Sequence, residues 1–240
     1  MLVGLSKTAL PGAGTITVAV FAAVLPARQS TGTLLVLLIL GDLFAVGSYH
    51  AHADWAALRR LIPAVLVGVA VGTAFLAVAD DGVVRRVIGI LLLALVAVTL
   101  IRRAVAARGG DPAQRTTRSP AWRQRLETGT YGTLAGFTTM VANSGGPVMS
   151  LYFLAARFSI TQFLGTAAWF FFMVNLVKTP FSISLGLISV ASLRLDLLLA
   201  PAVVVGALIG RRVARTINPT LFDRLVLGFT VLSAGYLVVR

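Results

Sequence analysis

Lys7 and Lys178 are the only lysines in a chain that has nineteen arginines, and each lies inside an apolar segment rather than in a polar loop. An ammonium at membrane depth costs roughly 2.5 to 3.5 kcal/mol even on the lenient insertion scale unless it meets water, a counter-ion or backbone carbonyls, so such a lysine marks a functional site. Around Lys7 runs Gly4-Leu5-Ser6-Lys7-Thr8-Ala9-Leu10-Pro11-Gly12-Ala13-Gly14. Its glycines, Gly12 and Gly14 above all, allow close backbone approach. Ser6 and Thr8 offer hydroxyls and Lys7 a charge, the chemistry that receives an anion. The competing reading has Lys7 snorkelling to the interface.

A second candidate cradle is Asn143-Ser144-Gly145-Gly146-Pro147. Asn143 or Ser144 can cap a helix that starts there, and proline is tolerated in its first turn. Freed amides at such a start favour an anion, while the competing reading is a packing kink. Lys178 follows Asn175 by three positions, so the two share a helix face, and Pro180 permits a kink beside them. Asp42 is the carboxylate set deepest in an apolar run. It is a candidate proton carrier or the fixed partner of a lysine. His50, His52 and Asp54 resemble a metal set only superficially and are read as a solvated helix end, and no metal or cofactor is expected. Trp169 and Phe170 to Phe172 belong to an aromatic belt or line the pocket, and spacing does not decide.

The elements that must position these residues follow from composition. Of 240 residues 58% are hydrophobic and 12% charged, against a usual apolar share of about 45–50% in soluble domains. The class is therefore an all-α polytopic membrane protein. The net charge of +13 sits in short arginine clusters between apolar runs, the pattern of cytoplasmic loops, and no nucleic-acid partner is expected. The absence of cysteine removes disulfides, thiolate metal sites and cysteine nucleophiles. No removable signal peptide is read at the amino terminus.

Landmarks recur at a fixed offset. Pro63, Gly68, Gly72 and Arg86 return 138 positions later as Pro201, Gly206, Gly210 and Arg224, while Gly14 matches Gly146 and Asp42 matches Asn175 at offsets of 132 and 133. The chain thus reads as two homologous repeats, 1–103 and 126–240, joined by a basic cytoplasmic linker over 104–125. Each repeat begins with an apolar stretch broken at Pro11 to Gly14 or Asn143 to Pro147, because proline removes a donor and glycine frees the backbone. Three spans follow in each: about 32–50, 60–79 and 83–103, then about 161–187, 195–214 and 221–239. Gly68/Gly72 and Gly206/Gly210 are small-xxx-small pairs suited to close helix packing.

If the broken stretches are re-entrant, the repeats are inverted and Arg59, Arg60, the linker, Arg157 and Arg211 to Arg224 all lie inside. Arg28, Arg85, Arg86 and Arg194 beside Asp196 then lie outside. If the broken stretches cross fully, the chain has eight full spans in parallel repeats and the Arg211 to Arg224 cluster faces outside. The arginines favour inversion. Inverted repeats with discontinuous helices that meet near the midplane are a recurrent plan of secondary transporters.

The stretches 4–14 (Gly-x-Ser-Lys-Thr-x-Leu-Pro-Gly-x-Gly), 143–154 (Asn-Ser-Gly-Gly-Pro-x-Met-Ser-Leu-Tyr-Phe-Leu) and 175–181 (Asn-Leu-Val-Lys-Thr-Pro-Phe) resemble the TauE/SafE sulfite-exporter family, also called the 4-toluenesulfonate uptake permeases. The resemblance extends over nearly the whole chain and implies a multi-pass carrier of the bacterial plasma (inner) membrane, not an enzyme. Its partner is a small inorganic or organosulfur anion. On this reading Ser6, Lys7, Thr8, Gly12, Gly14, Asn143, Ser144, Gly145, Gly146, Asn175 and Lys178 bind substrate. Asp42 couples transport to protons or to the membrane potential, and a homodimer is compatible with the pattern. The alternative is a passive anion channel or pore using the same site.

Overall fold

In the computed structural model of the chain, residues 1–8, 14–107, 121–156 and 158–213 are described. They form helices throughout: α1 Leu2–Thr8, α2 Gly14–Val24, α3 Ala27–Tyr49, α4 Trp55–Val78, α5 Asp81–Ala107, α6 Ala121–Ala142, α7 Gly145–Ala155, α8 Ile160–Ser184 and α9 Val190–Val213. A short 3₁₀ turn, His50–His52, follows α3. The span expected over 221–239, most of the linker and residues 9–13, which include Gly12, lie outside the described residues.

Local chemistry sets the boundaries. Asp54, one of the three residues that superficially suggested a metal, caps α4 by accepting from Ala57 N at 2.9 Å. Ser159 and Gln162 form a reciprocal capping box that starts α8. Helix α6 begins ten residues before the apolar stretch, because its Arg-, Gln- and Glu-bearing first turns are good helix formers. It stops at Asn143, whose φ of 49° is the left-handed conformation that asparagine tolerates better than most residues. The chain then doubles back. Tyr152 on α7 lies 5.9 Å ring to ring from Tyr131 and within 3.5 Å of the Thr128 hydroxyl on α6.

At 1.5 Å per residue the 7 residues of α1 and the 11 of α2 and α7 are too short to cross a hydrocarbon core of about 30 Å. Among the described residues three helices, Ala27–His52, Trp55–Val78 and Val190–Gly210, are long and apolar enough. Their outward faces suit lipid, since Val78, Leu197 and Leu198 are each at least 75% exposed.

Glycines set how the helices meet. A Cβ on Gly68 would strike the Thr133 carbonyl, and one on Gly136 the Val65 carbonyl, so α4 and α6 lie backbone to backbone. Gly132 faces Ala64 and Gly72 faces Met140, hence the two run parallel. In the same way Gly206 meets Met1 and Gly210 meets Leu5 and Thr8, so α9 runs parallel to α1. Helices α3 and α8 are antiparallel. Thr166, early in α8, accepts from Asp54 N just beyond α3, while Asn175 further along meets Asp42 within α3.

Gly136→Val should lower stability by about 1–3 kcal/mol, because the added carbons have no room between α4 and α6. Gly47→Ala, where a Cβ meets nothing within 4 Å, should leave it unchanged. Thermal unfolding in detergent reads both, and equal midpoints would contradict the packing described.

Candidate functional site

A cavity of about 70 Å³ lies where α1, α2, α3, α6, α7 and α8 converge. The first half of the chain contributes Ser6, Lys7, Gly14, Thr15, Leu38, Asp42 and Ala45. The second contributes Thr139, Asn143, Ser144, Gly146, Pro147, Leu164, Ala167, Ala168, Phe171 and Asn175. The opening turns of α2 and α7 both face it, so two helix N-termini, with their partial positive charge, share one space.

Lys7 does not snorkel. Its stem passes the bare backbone of Gly41, where a Cβ would lie 3.1 Å from Lys7 Cγ, and its ammonium turns inward to Asp42 Oδ1 at 2.6 Å. The same ammonium lies 4.5 Å from the centre of the Phe171 ring, a favourable cation–π position. Asp42 is fully buried, and its Oδ2 accepts from Asn175 Nδ2 at 2.6 Å. A buried carboxylate needs such partners, since an unpaired one costs several kcal/mol.

Lys178 is fully buried and does not line the cavity. It donates to the Thr139 carbonyl at 2.5 Å and to Asn143 Oδ1 at 2.7 Å, with Asn175 Oδ1 and Thr139 Oγ1 at 3.4 Å. The ammonium therefore caps the carboxyl end of α6, where a cation opposes the dipole, and shares the Thr139 carbonyl with Asn143 N at 3.0 Å. Asn143 completes the junction by donating from Nδ2 to the Thr31 carbonyl at 2.9 Å.

The other expected residues divide similarly. Ser6, Gly14, Ser144 and Gly146 line the cavity. Thr8 is buried and donates to the Gly4 and Ala207 carbonyls, which joins α1 to α9. Gly145 lies behind the wall, where a Cβ would come within 3.0 Å of Thr139 Cβ, so it permits the tight return of α7. The aromatic run splits in function. Trp169 packs on Trp55 at 5.2 Å, Phe170 is in the core and Phe171 faces the cavity. Among the described residues no group of three His, Asp or Glu side chains could hold a metal.

No motif in the sequence singles out Thr139 or Thr15, and spacing leaves Phe171 undecided between belt and pocket. The repeat offset could have found the first, because Lys7 plus 132 is Thr139. Asp196, read as lying outside beside Arg194, is only 3% exposed, and neither carboxylate oxygen has a hydrogen-bond partner among the described residues.

Apolar helices around a small cavity with charged and polar groups in its wall fit a membrane transport protein. The chain belongs to the sulfite exporter TauE/SafE family, which it matches over residues 1–237. Comparison with the curated proteins and with the solved structures returns no match.

Lys178→Met should cost about 2 kcal/mol or more, because hydrogen bonds from charged donors contribute about 1.5–3 kcal/mol each. Lys7→Met should cost about 3–5 kcal/mol by stranding Asp42, and adding Asp42→Asn should recover most of that. Additive losses in this cycle, read by thermal unfolding, would refute the pairing.

Proposed function

We propose that the chain is a secondary carrier of a small sulfur oxyanion, sulfite or a small organosulfonate, in the plasma (inner) membrane of a bacterium. The observation that carries this reading is the convergence of the α2 and α7 N-termini on one cavity with Lys7 in its wall. Amides at helix starts and an ammonium together recognise an oxyanion. Ser6, Thr15, Thr139, Asn143 and Ser144 supply further polar groups around it.

The size argues for a compact ligand. One water needs roughly 10–15 Å³ of such space, so about 70 Å³ suits several waters or one small anion rather than an aromatic sulfonate. The antiparallel course of α3 and α8, which stand at equivalent places in the two repeats, supports inverted repeats, with α1–α2 and α6–α7 as re-entrant hairpins. On that plan the repeats rock about the cavity and expose it alternately to each side. The driving force is a proton gradient or the membrane potential.

Purified protein in liposomes should take up sulfite saturably and with counterflow, and linear flux without counterflow would mean a pore. Gly146→Leu fills open cavity space, since a Cβ there meets nothing within 4 Å. It should cut uptake at least tenfold without loss of folded protein. Lys7→Gln in an Asp42→Asn background should do the same. Wild-type uptake in both would sink the site.

For topology, Arg212→Cys should resist an impermeant thiol reagent added outside intact cells. Its labelling from outside would overturn inversion.

A further inference from the structure

The cavity holds a charge pair whose cation is also the group a substrate anion must reach. Lys178 cannot serve instead, because its ammonium is enclosed by Thr139, Asn143 and Asn175 and is fully buried. Lys7 is the cation in the cavity wall among the described residues, and Asp42 Oδ1 already occupies it at 2.6 Å. That oxygen accepts no hydrogen bond besides the ion pair, whereas Oδ2 is held by Asn175. Asp42 is therefore anchored on one side and exchangeable on the other.

An anion that approaches Lys7 meets this carboxylate. Two negative charges would then share one ammonium among apolar helices, where their repulsion is little screened. The charged groups that face Asp42 are Lys7 from α1 and Lys178 from α8, and α2 has no ionisable side chain. No other charged group on the elements packed against α3 bears on it among the described residues. A proton on Oδ1 resolves the conflict. The neutral carboxyl releases the ammonium, and it gains an O–H that can donate to an oxyanion, so an acceptor that repels the substrate becomes a donor that binds it.

We propose that the transported anion and Asp42 compete for the Lys7 ammonium, and that Asp42 takes a proton from water when displaced, so that one proton crosses with each anion. This rests on the anion-carrier reading and decides between its two driving forces. Balance is simple: the proton enters from the loading side and leaves Oδ1 on the other side, when the anion departs and the Lys7 pair reforms. Asn175, the counterpart of Asp42 in the second repeat, cannot titrate, so the stoichiometry is one.

The test uses methanesulfonate, a small sulfonate whose own charge is fixed across the neutral range, with sulfite in parallel. In liposomes that contain the wild-type protein and a trapped pH dye, methanesulfonate uptake should acidify the lumen by one proton per anion. Asp42→Asn should reduce that ratio at least tenfold. Uptake by the wild type without acidification, or an unchanged ratio in Asp42→Asn, overturns the coupling and leaves the carrier reading standing. No uptake of either anion by the wild type overturns both. If Asp42→Asn folds poorly, the infrared difference spectrum of wild-type protein decides. Anion binding should create the C=O stretch of a buried protonated carboxyl, and its absence overturns the proposal.

Discussion

A charge set among apolar helices must be met by another polar group, and one continuous string of contacts satisfies that requirement throughout the site. Lys7 pairs with Asp42, Asp42 accepts from Asn175, and Asn175 faces Lys178. Lys178 binds Thr139 and Asn143, and Asn143 reaches back to Thr31 on α3. The string ties the tip of α1 to the tip of α6 through the two full-length helices α3 and α8. Because each member satisfies the next, truncating one strands another, so the polar network and the broken helices stand or fall together.

Broken helices are tolerable at membrane depth only where their freed backbone groups find partners. At the end of α6 the Thr139 carbonyl accepts from both Asn143 N and Lys178, and the Ser144 amide at the junction donates to the Thr138 carbonyl. The sites of close approach are built from glycine, and Gly68, Gly136, Gly206 and Gly210 let α6 and α1 slide against α4 and α9 with backbone contact. Helices α1 and α6 are thus each gripped by a helix from the other half of the chain. On the proposed rocking of the two halves, the tips of α1 and α6 would move with the helices that grip them.

The break at Asn143 to Pro147, the described spans and the glycine pairs were legible in the sequence, because proline, glycine and apolar run length act locally. Asp42 and Asn175 were legible as matching positions of the two repeats and Asp42 as the partner of a lysine, but not their contact with each other. What was not legible was direction. A lysine in an apolar run announces that it needs partners but not which way its stem turns, so Lys7 and Lys178 looked alike until one faced the cavity and the other a helix end. Phe171 was hidden in a run of three phenylalanines whose orientation depends on the rotation of α8. The burial of Asp196 was not legible either, and the structure offers no explanation for its unpartnered oxygens.

The repeat offset gives the two lysines a common logic. Thr139 stands where Lys7 stands, and Ala45 stands where Lys178 stands, so each junction of half-helix and span has one ammonium, carried by opposite partners. The second junction meets its cation with neutral acceptors and hides it, whereas the first meets it with a carboxylate and leaves it in the cavity wall. Two ligand-facing ammoniums in a site of low dielectric would hold an oxyanion tightly and slow its release. One ammonium already countered by Asp42 binds more weakly, because the incoming anion must first displace a partner. On the carrier reading proposed above, an ammonium already countered by Asp42 is one from which a bound anion can be released again.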